Sequence, residues 1–524
     1  MSEKRNIFYL LLLALVAFSS NIWVRSADIM EARNFITARE MLESKNYIIT
    51  TLNGQLRFEK PPLPTWLTAL VMKITGNIEN EVLLRIPVIL ISVLLIYFIY
   101  KVVLEFKKSH RVALLSAFVG TTMFMLIKIG NENSWDMYTY VFSFGAIFFL
   151  VKGLKSKKMG YFIGCSIFLS CSILSKGPVG IYGLFIPFLI AHIYVYGKTK
   201  YLENRKNLLY MLIITLILSG IWPLLAYRSY PEYFLSVLKK ESGTWRSKHT
   251  QGIFYYLDYF IYTGSWIFFS ILGVNKKILE RYSKEKRYSK FLFIWNILIF
   301  VFLSLIKMKK KRYGIPLYIL SSMEIGVICD YYYDKFWYEL NSFDKIFLKI
   351  QKYFISFISI GIVGILFEFG YLNGKLSLKY ILICTLILGV FNYKILKNQE
   401  KVKYVIIGTG VFMLLVNITA SWFIDRNFYN KSFVNKYDKL SVLREETPSL
   451  EIYSEDYEIE DVWRVGKRIN NLDKSIELPE EFILLGKLEK NLSKDYKIEL
   501  EKTYVKDKDE LVKLYYLKKK ESKI

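Results

Sequence analysis

Apolar and polar residues alternate along this chain in long blocks rather than in the short periods of a soluble helix or strand. Apolar runs close to the roughly 20 residues that cross a bilayer as a helix occur at about 7–24, 86–104, 112–129, 137–152, 161–174, 179–195, 208–226, 253–273, 290–306, 313–329, 353–371, 379–395 and 404–423. The pattern predicts about thirteen transmembrane helices. The fifth and sixth runs are separated only by Ser175-Lys176-Gly177-Pro178 and also read as one broken segment. The first run follows Lys4 and Arg5, as in a signal peptide. No small-residue cleavage pattern comes after it, and Trp23-Val24-Arg25 has the character of an interfacial anchor, so it is expected to be a retained span.

Two polar blocks interrupt this rhythm. Residues 25–85 are far too many for an ordinary helix connection, and the block is expected to be a structured unit. Ile29, Ala32, Phe35 and Ile36 recur at helical spacing with Arg33, Asn34 and Glu40 among or beyond them, the pattern of an amphipathic helix lying on a membrane surface. Trp66, Leu67, Leu70 and Val71 predict a second such helix after Pro64, and Asn53-Gly54 predicts a turn between the two. The block therefore reads as short external helices rather than a compact globule. From about residue 425 the chain becomes rich in Lys, Glu and Asp, with short runs such as Phe482-Ile483-Leu484-Leu485 and Tyr496-Lys497-Ile498-Glu499-Leu500. This segment, 425–524, predicts a small soluble α+β domain. The fold class expected is an all-α polytopic membrane domain over 1–424, which includes the 25–85 loop, followed by that domain.

Charge orients the spans. Lys107, Lys108 and Arg111, then Lys152, Lys155, Lys157 and Lys158, then Lys198, Lys200, Arg205 and Lys206, then the 276–287 and 394–403 clusters all fall in alternate loops, which reads as the cytoplasmic side. The N-terminus is then cytoplasmic, and both the 25–85 loop and the tail from 425 lie outside. The basic run Lys307, Lys309, Lys310, Lys311 and Arg312 breaks the rule by falling in an external loop. A hydrophobic content of 53% and an aromatic content of 17% exceed what soluble domains carry. The net charge of +26 lies largely at loop ends, as topology requires, so nucleic acid is not expected as a partner. Cys165, Cys171, Cys329 and Cys384 all sit in apolar runs without metal-ligand spacing and read as packing residues.

Several short motifs follow one another in a fixed order. They are Glu31-Ala32-Arg33, Ala38-Arg39-Glu40-Met41-Leu42, Leu52-Asn53-Gly54, Glu59-Lys60-Pro61-Pro62-Leu63 with Trp66-Leu67, Trp135-Asp136-Met137, Leu174-Ser175-Lys176-Gly177-Pro178, His249 ahead of Phe254-Tyr255-Tyr256, and Lys309 to Pro316 containing Arg312-Tyr313. This ordered set, across roughly residues 1–330, resembles the lipid A aminoarabinose transferases and the related protein O-mannosyltransferases. The resemblance implies a GT-C type membrane glycosyltransferase of the bacterial inner membrane. Such a protein takes a sugar from a polyprenyl (undecaprenyl) phosphate carrier and transfers it, by single displacement with inversion, to an extracytoplasmic lipid, glycan or protein acceptor.

That chemistry needs a base for the acceptor hydroxyl and cations for the departing phosphate. Glu31 matches the family's Asp-Glu pair, with Met30 at the family's Asp position. Asp28, three residues before Glu31, can share a helix face with it, although Asp followed by Glu three residues later is also how a helix N-terminus is capped. Asp136 opens a span, where a carboxylate needs a partner or a wet cavity. Asp28, Glu31 and Asp136 are the catalytic candidates. Lys60, fixed by two prolines, Lys309 and Arg312 suit a phosphate. Arg33, Glu59, Lys176, His249, which has Trp245, Arg246 and Lys248 nearby, and Tyr313 complete the expected substrate-binding set. A snorkelling lysine at position 60, a dipole-stabilised aspartate at 136 and an inert loop histidine are the bland alternatives. Two or three carboxylates without ligand geometry assign no metal ligand, though a divalent cation is left open as a cofactor. A transporter of the same polyprenyl-linked sugar is the rival reading, but it would show internal repeats, and none is visible. A structural assembly subunit is a third, and it predicts tolerance of substitution at Lys60.

Overall fold

The computed structural model describes residues 2–524 except 248, 398–399, 426–437, 447–449, 473–477, 489–491, 507–509 and 521–524. The chain divides into two compact units. The first comprises Met1–Ile22, Phe58–Pro64 and Arg85–Phe423; the second comprises Trp23–Arg57, Thr65–Leu84 and Ile424–Ile524.

The first unit is a helical bundle. Among the described residues, eight helices are long and apolar enough to cross a membrane, or up to ten if each of two bent pairs is one span. They are Glu81–Lys107, Trp135–Ser156, Met159–Lys176, Arg205–Ser229, Lys286–Leu305, Ser342–Tyr371, Leu378–Lys397 and Lys403–Ile424. The three other predicted runs also form helices, over Ser2–Ser19, Ile181–Tyr196 and Ile315–Tyr333, that are shorter or more polar. The fifth and sixth runs are separate helices, because Gly177 ends the first of them at φ 69° and ψ −153°, a conformation open chiefly to glycine.

Two predicted spans are less regular than their hydropathy suggests. His110–Thr121 and Phe124–Gly130 meet at 64°, and the indole N–H of Trp266 donates to Thr122 Oγ1 at that break, 3.0 Å away. Ile253–Trp266 is wound as a 3₁₀ helix interrupted at Gly264, whose φ is 71°, and the segment then turns by 96° into Lys276–Tyr282. Close helix crossings depend on small residues. A Cβ on Gly326 would lie 2.7 Å from the Ser116 Cα, so the Ile315–Tyr333 and His110–Thr121 helices approach backbone to backbone. Gly326→Val is expected to destabilise the purified protein by about 1–3 kcal/mol through overpacking, read as a lowered Tm in detergent. An unchanged Tm would contradict this packing.

The second unit contains a six-stranded mixed sheet. Its strands run, in spatial order, Asp438–Lys439, Tyr496–Val505, Leu511–Lys519, Glu481–Leu485, Ile452–Ser454 and Ile469–Asn471. The two apolar runs read from the sequence are the Glu481–Leu485 strand and the start of the Tyr496–Val505 strand. The expectation that 25–85 forms surface helices rather than a globule needs correction. In helix Ile29–Ser44 the residues Glu31, Ala32 and Asn34 through Met41 are buried, and Ala32, Phe35, Ile36 and Ala38 share one core with Leu440, Val462, Trp463, Ile469, Ile483 and Leu514. Alternating helical periodicity cannot distinguish a lipid-facing stripe from a stripe facing a sheet. The polar residues are also used internally. Asn34 Nδ2 donates to Thr68 Oγ1 at 3.1 Å, and the Glu40 carboxylate accepts the Gly54 N–H at 3.1 Å. The Asn53-Gly54 turn is present as a hairpin between Thr51–Leu52 and Gln55–Leu56, with φ 54° and 78° at its two central residues, the pattern of a type I′ turn. The Asn53 side chain pairs with the backbone of Ile469 through bonds of 2.9 and 3.0 Å.

Candidate active site

In the bundle unit, four segments distant in sequence bring charged side chains together around Tyr313. The helices Trp135–Ser156 and Met159–Lys176 pack as an antiparallel pair. The Ser172 hydroxyl donates to the Thr139 carbonyl at 2.8 Å and the Ser143 hydroxyl to the Gly180 carbonyl at 2.9 Å. This packing sets the first turn of one helix against the last residue of the other, so Asp136 and Lys176 form an ion pair. Each is at the helix end whose dipole favours its charge. Asp136 is fully buried, and its Oδ2 has no hydrogen-bond partner among the described residues. The Lys176 ammonium also lies over the Tyr313 ring, 4.1 Å from its centroid.

Tyr313 belongs to the short turn Lys311–Gly314, which leads into helix Ile315–Tyr333 with Pro316 at its start. Its carbonyl accepts the Tyr140 hydroxyl at 3.3 Å. Burial, reinforced by the Asp136 charge, raises the Tyr313 phenol well above its ordinary pKa, and Glu241 acts in the same direction while Arg312 opposes it. The phenol therefore stays protonated at neutral pH. Arg312 pairs with Glu132, in the segment just before Asp136, and the neighbouring Lys311 pairs with Asp258.

Lys60 arrives on the Phe58–Pro64 segment. Phe58 is wedged among Trp222, Tyr230, Tyr233 and Phe234, with ring centroids 5.6–6.3 Å away, and Pro61-Pro62 stiffens the turn that follows. Lys60 thereby reaches Glu241 of helix Pro231–Ser247 at 3.0 Å. Lys60 and Arg312 are both close enough to act electrostatically on Lys176. Glu59 is next to Lys60, with Oε2 buried and without a hydrogen-bond partner among the described residues. Directly after Lys176, an apolar cavity of about 400 Å³ is lined by Pro178, Val179, Ile181, Tyr182, Ile186 and Ile306.

The structure thus brings Glu59, Lys60, Asp136, Lys176, Arg312 and Tyr313 into one neighbourhood. It departs from the sequence reading at Lys309. That residue is buried, its ammonium donates to the carbonyls of Gln251 and Ile306 at 3.1 and 2.6 Å, and burial lowers its pKa. Its geometry is that of a strut in the basic turn rather than a ligand for an incoming phosphate. His249 is exposed, with a left-handed backbone at φ 48°, and its carbonyl accepts the Lys309 N–H at 3.1 Å. The Trp245, Arg246 and Lys248 side chains expected beside it lie outside what is described. Asp28, Glu31 and Arg33 belong to the other unit. There Asp28 is the N-cap of helix Ile29–Ser44, accepting the N–H groups of Met30 and Glu31 at 2.9 Å, Glu31 is buried, and the Arg33 carbonyl accepts Arg57 at 2.9 Å. Glu132, Glu241 and Asp258 were not picked out from sequence. The first had a visible signal, since it lies four residues before Asp136 in a polar run between spans.

The sequence profile of the family described as dolichyl-phosphate-mannose-protein mannosyltransferase matches residues 59–227. An uncharacterized protein from Aquifex aeolicus is 30% identical over 361 residues, covering 67% of this chain and 79% of that protein. The undecaprenyl phosphate-alpha-4-amino-4-deoxy-L-arabinose arabinosyl transferase of Shewanella sediminis is 23% identical over 319 residues. That alignment covers 59% of this chain and 56% of the transferase, so the chain spans only about half the length of this relative. The crystal structure of ArnT from Cupriavidus metallidurans bound to undecaprenyl phosphate superposes with a TM-score of 0.69 at 16% identity, covering 97% of each chain.

Proposed function

The chain belongs to the aminoarabinose transferase-like family of GT-C membrane proteins, and from that membership we propose that it moves a sugar from a polyprenyl phosphate carrier to an acceptor on the extracytoplasmic side of a bacterial inner membrane. The observation that carries the reading is the convergence of Lys60, Lys176 and Arg312 with Asp136 around Tyr313, next to an apolar cavity. Cations beside an apolar groove suit a lipid monophosphate, whose head is anionic and whose tail is isoprenoid. Undecaprenyl phosphate, the lipid named with the ArnT structure, is of this class. The lysine-rich alternate loops support a cytoplasmic N-terminus and an outward-facing site.

In the proposed reaction the acceptor oxygen attacks the anomeric carbon from the face opposite the phosphate, so the glycosidic bond forms with inversion as the bond from that carbon to the phosphate oxygen breaks. Asp136 Oδ2 accepts the acceptor's proton. Lys60, Lys176 and Arg312 take up the charge left on the carrier phosphate, and the Tyr313 phenol donates a hydrogen bond within the same site. Asp28 or Glu31 as the base is the alternative assignment within this reading. Glu59 and His249 are assigned to substrate contacts at the margin, and Arg33, in the other unit, is kept as a substrate-binding candidate.

Purified protein incubated with radiolabelled polyprenyl-phosphate sugar and bacterial lipid, glycan or protein acceptors is expected to transfer label covalently. Movement of the labelled lipid across a membrane without covalent transfer would overturn the proposal in favour of a transporter. Lys60→Gln removes one charged partner of the phosphate, worth about 1.5–3 kcal/mol, and is expected to raise the KM for the donor by about tenfold or more. An unchanged KM would remove Lys60 from the site.

A further inference from the structure

We infer that Glu241 is a placeholder for the donor phosphate, a carboxylate that occupies Lys60 and is exchanged for the phosphate on binding, so that it sets the affinity of the site for the lipid head. The inference rests on the donor reading given above. The starting point is charge. Each of four cations in this neighbourhood has a carboxylate of its own: Lys60 with Glu241, Lys176 with Asp136, Arg312 with Glu132, and Lys311 with Asp258. Each pair is neutral by itself, so none of these four cations is open to a phosphate without an exchange. It must take a cation from a carboxylate that already holds it.

The four pairs are not equally open to such an exchange. The Lys176 and Asp136 side chains are 8% and 0% exposed, and releasing either would strand a buried charge, which is costly. Glu132 is 8% exposed and also sits in the polar segment that precedes Asp136. Lys60 and Glu241 are 22% and 27% exposed, so either partner can be resolvated when the pair opens, and pairs of this kind are worth only about 0.2–1 kcal/mol. The Lys311 and Asp258 pair is as exposed as this, at 28% and 38%, but the Lys311 ammonium is further held by the Tyr255 carbonyl at 3.2 Å and lies 3.9 Å from the Tyr255 ring centroid. Among the described residues, Lys60 is therefore the cation that is both least committed and near Lys176.

Geometry points to the same residue. The Lys60 backbone is fixed from behind by the Phe58 wedge and the two prolines, so its ammonium works within side-chain reach of the place it now holds beside Glu241. The ligand must come to the place where Glu241 stands. Glu241 is on helix Pro231–Ser247, and its charge reaches Tyr313 together with those of Asp136 and Arg312. A phosphate there would face Lys60 and come within the field of Lys176 and Arg312. The exchange masks Lys60 from every anion by the same factor, so it sets the affinity of the site.

Binding of undecaprenyl phosphate to the purified full chain in detergent tests this directly. If Glu241 competes with the phosphate, Glu241→Gln lowers the Kd by about two- to sixfold, the factor by which a pair of 0.2–1 kcal/mol masks its cation. Any other anion that takes Lys60 gains by the same factor, so the preference for undecaprenyl phosphate over oleate is unchanged. Glu241→Asp, which keeps the charge but shortens the reach, falls between the two. A weaker or unchanged Kd in Glu241→Gln, at unaltered Tm, overturns the inference, because a carboxylate that merely orients Lys60 would cost affinity when removed. Lys60→Gln separates this from failure of the donor reading. If Lys60→Gln binds undecaprenyl phosphate as well as the unaltered protein does, the donor reading fails. If Lys60→Gln loses affinity and Glu241→Gln loses it too, only the placeholder role fails. In the Lys60→Gln background, Glu241→Gln should no longer tighten binding.

Discussion

Asp136→Asn is expected to lower kcat by about 10²–10⁴, the range for loss of a positioned proton acceptor, with little change in the KM for the donor. The carboxylate is fully buried, and one of its oxygens is committed to Lys176 while the other has no hydrogen-bond partner among the described residues. Asparagine keeps the shape and the hydrogen-bonding ability but cannot take a proton. The substitution also leaves the Lys176 ammonium without its counter-charge in a buried position, a situation that costs about 3–5 kcal/mol, so a lower Tm accompanies the loss of turnover. Adding Lys176→Met removes the stranded charge and should restore much of the Tm without restoring turnover. If Asp136→Asn retained near-normal kcat, Asp136 would not be the base, and Asp28 or Glu31 would take its place as the residue to test.

The second large effect is expected far from any chemistry, at Trp463. Its side chain is buried in the core shared with Ala32, Phe35, Leu84, Leu440 and Leu443. Its ring lies 5.1 Å from that of Phe35, its N–H donates to Glu81 at 2.8 Å, and the guanidiniums of Arg39 and Arg444 lie over it at 6.0 and 5.1 Å. Trp463 thus touches both the Ile29–Ser44 helix and Glu81, one in each of the stretches 23–57 and 65–84. Trp463→Ala should destabilise this unit by about 3–5 kcal/mol, seen as early proteolytic cleavage within 23–57 and 65–84 and a shifted denaturation midpoint. Trp463→Phe keeps most of the packing and loses the bond to Glu81, so its effect should be markedly smaller. Equal and small effects from both would mean that the two segments do not depend on this side chain.

The spans were legible because a bilayer demands length and apolarity together, and each predicted run coincides with a helix or a bent pair of helices. The kinks were not, because Thr122 and Gly264 bend the backbone without changing hydropathy. At the candidate site, Lys60, Asp136, Lys176, Arg312 and Tyr313 were expected from the ordered motifs of the family resemblance together with local oddities: a lysine before two prolines, charges at span ends, and a basic run on the side where topology disfavours it. Their acidic partners were hidden for the opposite reason. Glu241 is in an ordinary amphipathic helix, and what makes it notable is a residue 181 positions earlier in sequence. The pattern in Ile29–Ser44 was read correctly as a helix, but burial reaches all round it from Asn34 to Met41 rather than along one stripe, and its partner could not be inferred, since a sheet made of residues beyond 437 leaves no mark on residues 29–44.

That last arrangement has a bearing on biosynthesis. Residues 23–57 and 65–84 leave the ribosome well before the residues that cover Phe35 and Ala32, which lie beyond residue 437. At translation speeds of about 5–20 residues per second, the early segments wait tens of seconds with their greasy surface bare, while most of the helical bundle is threaded into the bilayer. This unit can close only after the segment beyond residue 437 has been made, so an escort that shields the waiting helices would assist its maturation.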